Sequence, residues 1–235
     1  MDVSVVIPAY DEAARLGATL DRVTGWLAGR GGSWEVLVVD DGSRDATVEV
    51  AEAHAGRGVR VLRQPENRGK GAALRAGVLA SRGDRVLLTD ADLSTPIEEL
   101  EKLEAHAGEA ALVVGSRAVP ESEIPVRQPL YRELMGKTFN LLVRIFAVGG
   151  ISDTQCGFKL IDGDVARSLF ADMTIDRFAY DVELVWLAKK RGHQVREVGV
   201  VWVNEPNSKV DPVRDSLRML WDVVTLRWRH RGERG

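Results

Sequence analysis

The sequence predicts an α/β protein built on a mainly parallel sheet with flanking helices. Three observations carry this. Apolar runs alternate with helical patterns over the first two-fifths of the chain, as in strands joined by crossover helices. Acidic and small polar residues follow those runs (PAYDE, then DDGS, then DAD), and ligands of open α/β sheets bind beyond the carboxyl edge. A chain of 235 residues also has the length of one large α/β domain, or of one with a helical appendage.

Val3 to Pro8 reads as a buried strand, with Glu12 to Leu27 as the helix behind it. Trp34 to Val39 is a valine-rich second strand that ends in Asp40 and Asp41. A helix over Arg44 to Ala55, a short strand over Val59 to Leu62 and a helix over Gly71 to Ala80 follow. Arg85 to Thr89 is a strand ending in Asp90-Ala91-Asp92. Thr95 and Pro96 then suit the N-cap and first position of a helix, and Ala110 to Gly115 is the next strand. From Arg117 the pattern changes. Val119 to Pro129, with three prolines, reads as a loop, and Leu130 to Val148 as a helix with a wide apolar face. Asp153 to Lys159 is a polar loop, Tyr180 to Arg191 a helix and Val195 to Val203 an alternating strand. Pro212 to Trp228 is a final amphipathic helix, with Leu217, Leu220, Val224 and Trp228 at helical spacing before a basic end.

Composition excludes several classes. Hydrophobic residues at 45% and charged residues at 29% suit a soluble globular chain and not a disordered one. With 32 basic and 35 acidic residues the net charge is -3, so bulk electrostatics does not favour nucleic acid. The single cysteine, Cys156, excludes an intrachain disulfide and a cysteine-cluster zinc site, and suits a reducing compartment. The start MDVSVVIPAYDE has no basic region ahead of an apolar stretch, so no signal peptide is expected. No uninterrupted apolar run reaches the roughly 18 residues of a membrane span.

Four segments carry candidate chemistry. Asp90 and Asp92 lie two apart on extended chain, so their carboxylates can converge on one hard cation such as Mg2+ or Mn2+ that holds a diphosphate. A solvated strand end with a capping aspartate is the other reading. Asp40 and Asp41 suit a nucleoside hydroxyl or base edge, with Gly42 and Ser43 supplying the turn and the next helix cap. In PAYDE, Tyr10 suits stacking on a base and Glu12 a capping position. Asn67 to Gly71 brings glycines, Lys70 and a helix start together, which suits anions. It meets neither the G-x-x-x-x-G-K-[ST] pattern nor the dinucleotide spacing, so it reads as the wall of a nucleotide pocket.

Together, VVIPAYDE, VVDDGS, ENRGKGAALRAG, LLTDADLSTP, VGSRA, DTQCGFKL, YDVELVWLAKKRG and NSKV make the chain resemble the inverting family 2 glycosyltransferases of GT-A fold. DTQCGFK with YDVEL resembles the dolichyl-phosphate β-glucosyltransferase branch. The resemblance implies a Rossmann-like GT-A fold forming one domain over residues 1–235: a nucleotide-sugar half to 117, an acceptor half over 118–211, and an amphipathic helix with basic tail over 212–235. It implies transfer of glucose from UDP-glucose to a dolichyl or polyprenyl phosphate, with inversion and with Mg2+ or Mn2+. Pro8, Tyr10, Glu12 and Asp41 would line the nucleoside pocket, with Asp40 beside it and Lys70 in the adjoining loop. Asp90 would contact the donor and Asp92 ligate the metal, while Arg117 and Lys209 would face the diphosphate. Asp153, Gln155, Lys159, Tyr180, Asp181 and Glu183 would build the acceptor side. Two departures stand out. Ser94 occupies the position where mannosyl relatives often carry a glutamine or histidine ligand, and the eukaryotic glucosyl relatives have an N-terminal membrane span with no counterpart in this start. The alternatives are a GDP-mannose donor, a soluble acceptor, or a nucleotide-sugar-binding regulatory subunit without turnover.

The chemistry follows. A cation with Arg117 and Lys209 would neutralise the leaving diphosphate. A phosphate acceptor, with a second pKa of about 6, is already ionised and needs positioning more than a base. A hydroxyl acceptor would need one, with Asp181 or Asp153 as the candidates. Arg127, Arg132, Lys137 and Arg144 against Glu133 leave an excess of positive charge beside the apolar face of Leu130 to Val148, which suits a membrane-interface helix. Packing on the sheet or a homodimer contact is the other reading, and the final helix has the same two. The expected location is cytoplasmic, peripheral at the inner face of the cell membrane.

Overall fold

The structure, a computed structural model, describes residues 1–126, 136, 138, 140, 143, 147–204 and 214–232. Its first half alternates strands and helices: β1 (Val3–Ala9), α1 (Ala13–Arg30), β2 (Trp34–Asp40), α2 (Thr47–Glu52), β3 (Val59–Arg63), α3 (Lys70–Ala80) and β4 (Arg85–Leu88). A 3-10 turn (Ile97–Glu99) leads into α4 (Leu100–Glu104), followed by β5 (Leu112–Ser116) and β6 (Glu123–Val126). After these come β7 (Lys159–Asp162), α5 (Gly163–Asp172), α6 (Tyr180–Lys190), β8 (Val195–Gly199), β9 (Val201–Val203) and α7 (Arg214–Arg229).

The continuous apolar runs have a simple cause: both faces of the sheet are covered. Val5, Ile7, Val36, Val38 and Leu87 point to one side, against Leu16, Leu20, Val23 and Leu27 of α1. Their neighbours Val6, Leu37, Val39, Val86 and Leu88 point to the other, against α3, α5, α6 and α7. The main sheet runs β3-β2-β1-β4-β7-β5-β8. All its neighbours are parallel except β7, which is antiparallel to both β4 and β5. β6 and β9 form a separate parallel pair.

The later elements depart from the sequence reading. Val195 to Val203 is two strands, because at Val200 the chain leaves the edge of the large sheet for the small one. The loop expected over Val119 to Pro129 contains β6. β7 and α5 were not expected at all. Thr95 and Pro96 do not begin the helix; Pro96 has an extended backbone at the N-cap of the 3-10 turn, with no side-chain cap. Ser43 does not cap α2: its hydroxyl accepts from Asp11 N at 2.9 Å, and Asp45 accepts from Thr47 N at 3.0 Å. Most of Leu130 to Val148, with Arg127, Arg132, Glu133, Lys137 and Arg144, lies outside the described residues, as does Lys209. Among the described residues no helix is long and apolar enough to cross a membrane.

Candidate active site

The carboxyl edge of the parallel strands gathers the charged residues. β4 delivers Asp90 and Asp92, and β5 delivers Arg117. β7 runs the opposite way, so its first residue lies at the same edge: Lys159 pairs with Leu88 of β4 and Val114 of β5. Two helices begin here as well, α3 with Lys70 and α6 with Tyr180 and Asp181.

Lys70 Nζ lies 2.6 Å from Asp90 Oδ1. Burial works against both charges, yet each sustains the other. The Asp90 carboxyl is held below its usual range, by Lys70 and then by Lys159 and Arg117. Lys70 is held above its own, by Asp90 and Asp181. Asp92 goes the other way: burial and then the neighbouring Asp90 carboxylate raise it, although its Oδ1 accepts from Ser94 N at 2.9 Å. The two carboxylates therefore sense each other across one turn. Leu93 in that turn has φ +47°, a left-handed conformation costing a branched residue about 1–2 kcal/mol. Thr19 Oγ1, donating to Ala91 O at 2.6 Å, and Leu93 N, donating to Asp90 O at 3.2 Å, hold the turn in place. Gly157 completes the approach, because any Cβ there would fall on the Asp90 carboxylate.

Arg117 makes a two-pronged pair with Asp153, Nε to Oδ2 at 2.7 Å and Nη2 to Oδ1 at 2.9 Å, and its guanidinium lies 5.3 Å from the Trp202 ring centroid. Arg117 N and Gln155 N also donate to Asp153. Burial alone would raise the Asp153 carboxyl, but Arg117 and these N–H groups hold it low. Behind this pair Lys159 and Asp181 form a buried ion pair, and Lys159 Nζ also donates to Cys156 O. Burial raises Asp181, against the opposing pull of Lys159 and Lys70.

Exposure divides these groups into two layers. The side chains of Lys70, Asp90 and Arg117 are 24%, 34% and 27% exposed, whereas those of Asp153, Lys159 and Asp181 are 1%, 0% and 6% exposed. The front layer is open to a ligand. The back layer fixes it in place.

Residues 4–170, from β1 into α5, match the family described as glycosyl transferase family 2. The chain belongs to that family. It is 36% identical to human dolichyl-phosphate beta-glucosyltransferase, over 97% of this chain and 75% of that one. It is 35% identical to the enzyme of the same name from Dictyostelium discoideum, over 97% and 74%. Among solved structures it is similar to mannosyl-3-phosphoglycerate synthase from Rubrobacter xylanophilus, with a TM-score of 0.70 and 25% identity, covering 98% of this chain and 74% of that one. Glucosyl-3-phosphoglycerate synthase from Mycobacterium tuberculosis, in complex with Mn2+, UDP-glucose and phosphoglyceric acid, shares the fold at TM-score 0.68 and 21% identity, over 96% and 79%. The family 2 fold is GT-A, and the chain is a glycosyltransferase.

Within this family 2 fold the expected residues fall into distinct places. Pro8 lies in β1, and Tyr10 and Glu12 follow it at the carboxyl edge, Glu12 at the N-cap position of α1 without capping it by its side chain and in an ion pair with Arg15. Asp40 and Asp41 are 4% and 3% exposed. Asp40 accepts from Gly42 N at 3.2 Å; Asp41 accepts from Arg68 N at 2.9 Å and Gly69 N at 2.8 Å. Both aspartates thus fix the loops that follow β2 and precede α3. The glycines of the Asn67–Gly71 loop serve packing: a Cβ on Gly71 would lie 2.5 Å from Ile175 O and 2.8 Å from Tyr180 Cβ, so only glycine lets α3 start beside α6. Gln155, half-buried, follows Asp153 in the loop ahead of β7. Tyr180 and Lys159 are wholly buried behind the edge.

Glu183 needs a correction. Its carboxylate turns away from the edge and accepts from Thr174 N at 2.9 Å, Ile175 N at 2.8 Å and Thr174 Oγ1 at 2.8 Å, with His230 Nε2 2.7 Å away. It ties α6 to α7 and faces no acceptor. Trp202, beside Arg117, was missed, because a tryptophan in a short alternating strand gives no sign of its partner.

No group of three or more His, Cys, Asp or Glu side chains that could hold a metal occurs among the described residues. Asp90 and Asp92 nevertheless fit a hard divalent cation. Burial first, and the Asp90 carboxylate second, work against the charge of Asp92; a hard divalent cation would relieve both, and a cation of this type keeps several water or phosphate ligands.

Proposed function

We propose that the protein transfers glucose from UDP-glucose to a dolichyl or polyprenyl phosphate, with inversion; the names of its relatives support the glucosyl group and the dolichyl phosphate, and the UDP-glucose bound in a fold neighbour supports the donor. Asp92, with Asp90 beside it, would hold Mg2+ or Mn2+, and the bound cation would supply positive charge against the leaving diphosphate. Lys70 orients Asp90, and the open side of Arg117 adds a fixed positive charge at the same edge. Tyr10 and Glu12 would line the nucleoside pocket, with Asp40 and Asp41 holding the adjoining loops.

One observation carries the acceptor class: Arg117 takes both oxygens of Asp153. A carboxylate held low by a guanidinium is a poor proton acceptor, and Asp181 is buried against Lys159. An acceptor that arrives ionised needs neither, and a phosphomonoester with a second pKa of about 6 does so. The membrane reading follows from a lipid acceptor: the enzyme would work at the cytoplasmic membrane face. A second reading, GDP-mannose or a soluble phosphorylated acceptor, is favoured by the similarity to mannosyl-3-phosphoglycerate synthase.

The test is a transfer assay crossing UDP-glucose and GDP-mannose with a polyprenyl phosphate and with 3-phosphoglycerate, in Mg2+ or Mn2+. Organic-extractable labelled glucose from UDP-glucose alone is the expected result. Label that stays water-soluble, or that comes from GDP-mannose, would overturn the reading.

A further inference from the structure

Helix α7 has two apolar faces, and only one is covered. Met219, Val223, Leu226 and His230 are 8%, 1%, 0% and 4% exposed and pack into the core beside α6. His230 meets Glu183 at 2.7 Å and lies against the Trp186 ring, 5.4 Å between centroids. Lys190 Nζ donates to His230 O at 3.0 Å. The inner face is thus fixed. On the outer face Leu217, Trp221, Val224 and Trp228 are 66%, 66%, 52% and 65% exposed. Spaced by four, three and four residues, they fall within about 60° of one another around the helix and extend about 16 Å along it. Apart from these four, the exposed large apolar side chains among the described residues are Met1, Leu79 and the cross-strand pair Val126 and Val203 of the small sheet, which form no comparable stripe.

The charges around this stripe have one sign. Arg218, Arg227 and Arg231 are exposed beside it, while Asp222 is buried and paired with Arg229 at 2.6 Å. No carboxylate between residues 217 and 232 is exposed. We propose that the outer face of α7 docks on an anionic lipid surface, with Trp221 and Trp228 at headgroup depth and the flanking arginines on lipid phosphates. A second copy of the chain fits less well. A two-fold contact along the stripe would set each arginine flank against its own like charges, over an area of one helix face. A lipid surface complements both features.

Docking in this orientation puts α6, with Asp181 in its first turn, at a fixed offset from the bilayer, because His230 and Glu183 join the two helices. The surface is defined by α7 alone and does not depend on which acceptor is used.

The test is vesicle flotation without turnover, so a failure of the transfer reading leaves it intact. Full-length protein is mixed with vesicles of phosphatidylcholine alone, or of phosphatidylcholine with phosphatidylglycerol, at low and high salt. Wild type is expected to float with the anionic vesicles at low salt. The doubly substituted Trp221→Ser, Trp228→Ser protein is expected to bind at least about tenfold more weakly. Leu79→Ser, which removes an exposed apolar side chain elsewhere, is expected to match wild type. Circular dichroism confirms that the variants are folded. Equal flotation of wild type and the double variant would overturn the proposal. So would a wild type that ignores vesicles but forms a dimer that the two substitutions dissociate.

Discussion

Lys159, the first residue of β7, forms a buried ion pair with Asp181 in the first turn of α6, directly behind the open pair of Lys70 and Asp90. Removing one partner strands a charge in the interior. Lys159→Met is expected to cost about 3–5 kcal/mol, while Lys159→Met combined with Asp181→Leu recovers much of the loss. Urea denaturation of the three proteins measures both values, and a double variant no more stable than the single one would contradict the pairing.

Asp92→Asn is expected to lower kcat by roughly 10²–10³-fold with little change in melting temperature, since the side chain stands at a strand end outside the core. Wild-type turnover is expected to vanish in excess EDTA and return with Mn2+. Activity that persists in EDTA would remove the cation from the mechanism.

Arg117 and Asp153 are expected to separate in their effects. Arg117→Lys keeps a charge but cannot grip both carboxylate oxygens, so transfer should fall by about tenfold or more while UDP affinity, read by calorimetry, changes less. Asp153→Asn loosens the same arginine from below and should also lower thermal stability. Equal losses in UDP affinity and in transfer for Arg117→Lys would make the arginine a binding group only.

Glu35 gives the fold a pH dependence remote from the site. Burial opposes its charge, but hydrogen bonds from Ser4, Arg60 and Arg82 N hold the carboxyl below its ordinary value of 4.5. A folded-state pKa below the unfolded one contributes stability that is complete above the unfolded value and is lost as pH falls through the lower one. Glu35→Gln should therefore cost about 1–3 kcal/mol at pH 7, and the gap from wild type should close in acid. Denaturation midpoints at pH 7 and below pH 4 decide it.

The first half of the chain was legible because its physics is local. A strand covered on both faces is apolar without interruption, as Val36 to Val39 are, and its acidic end marks the ligand edge. β7 was not legible: Lys159-Leu160-Ile161-Asp162 is too short to show a period, and nothing in it says that it runs antiparallel between two parallel strands. α5 does carry a local signal in its cap and apolar spacing. Asp162 caps it, accepting from Asp164 N at 3.1 Å and Val165 N at 3.2 Å, ahead of Ala166, Leu169 and Phe170 on one buried face. At the site, residue types were readable but their depth was not. Lys159, Asp181 and Glu183 look like surface charges in one dimension, and their burial depends on contacts far along the chain.

The place of β7 also bears on how the molecule is made. When a ribosome has released only β1 to β5, the edges of β4 and β5 have no partner between them, and each presents unpaired N–H and C=O groups to other chains. The gap between β4 and β5 closes only after residue 162 has emerged, and Lys159 reaches the carboxyl edge in the same event, while the outer edge of β5 waits for β8. The placing of Lys159 and the protection of these two inner edges thus come together, through contacts of long sequence separation that form slowly.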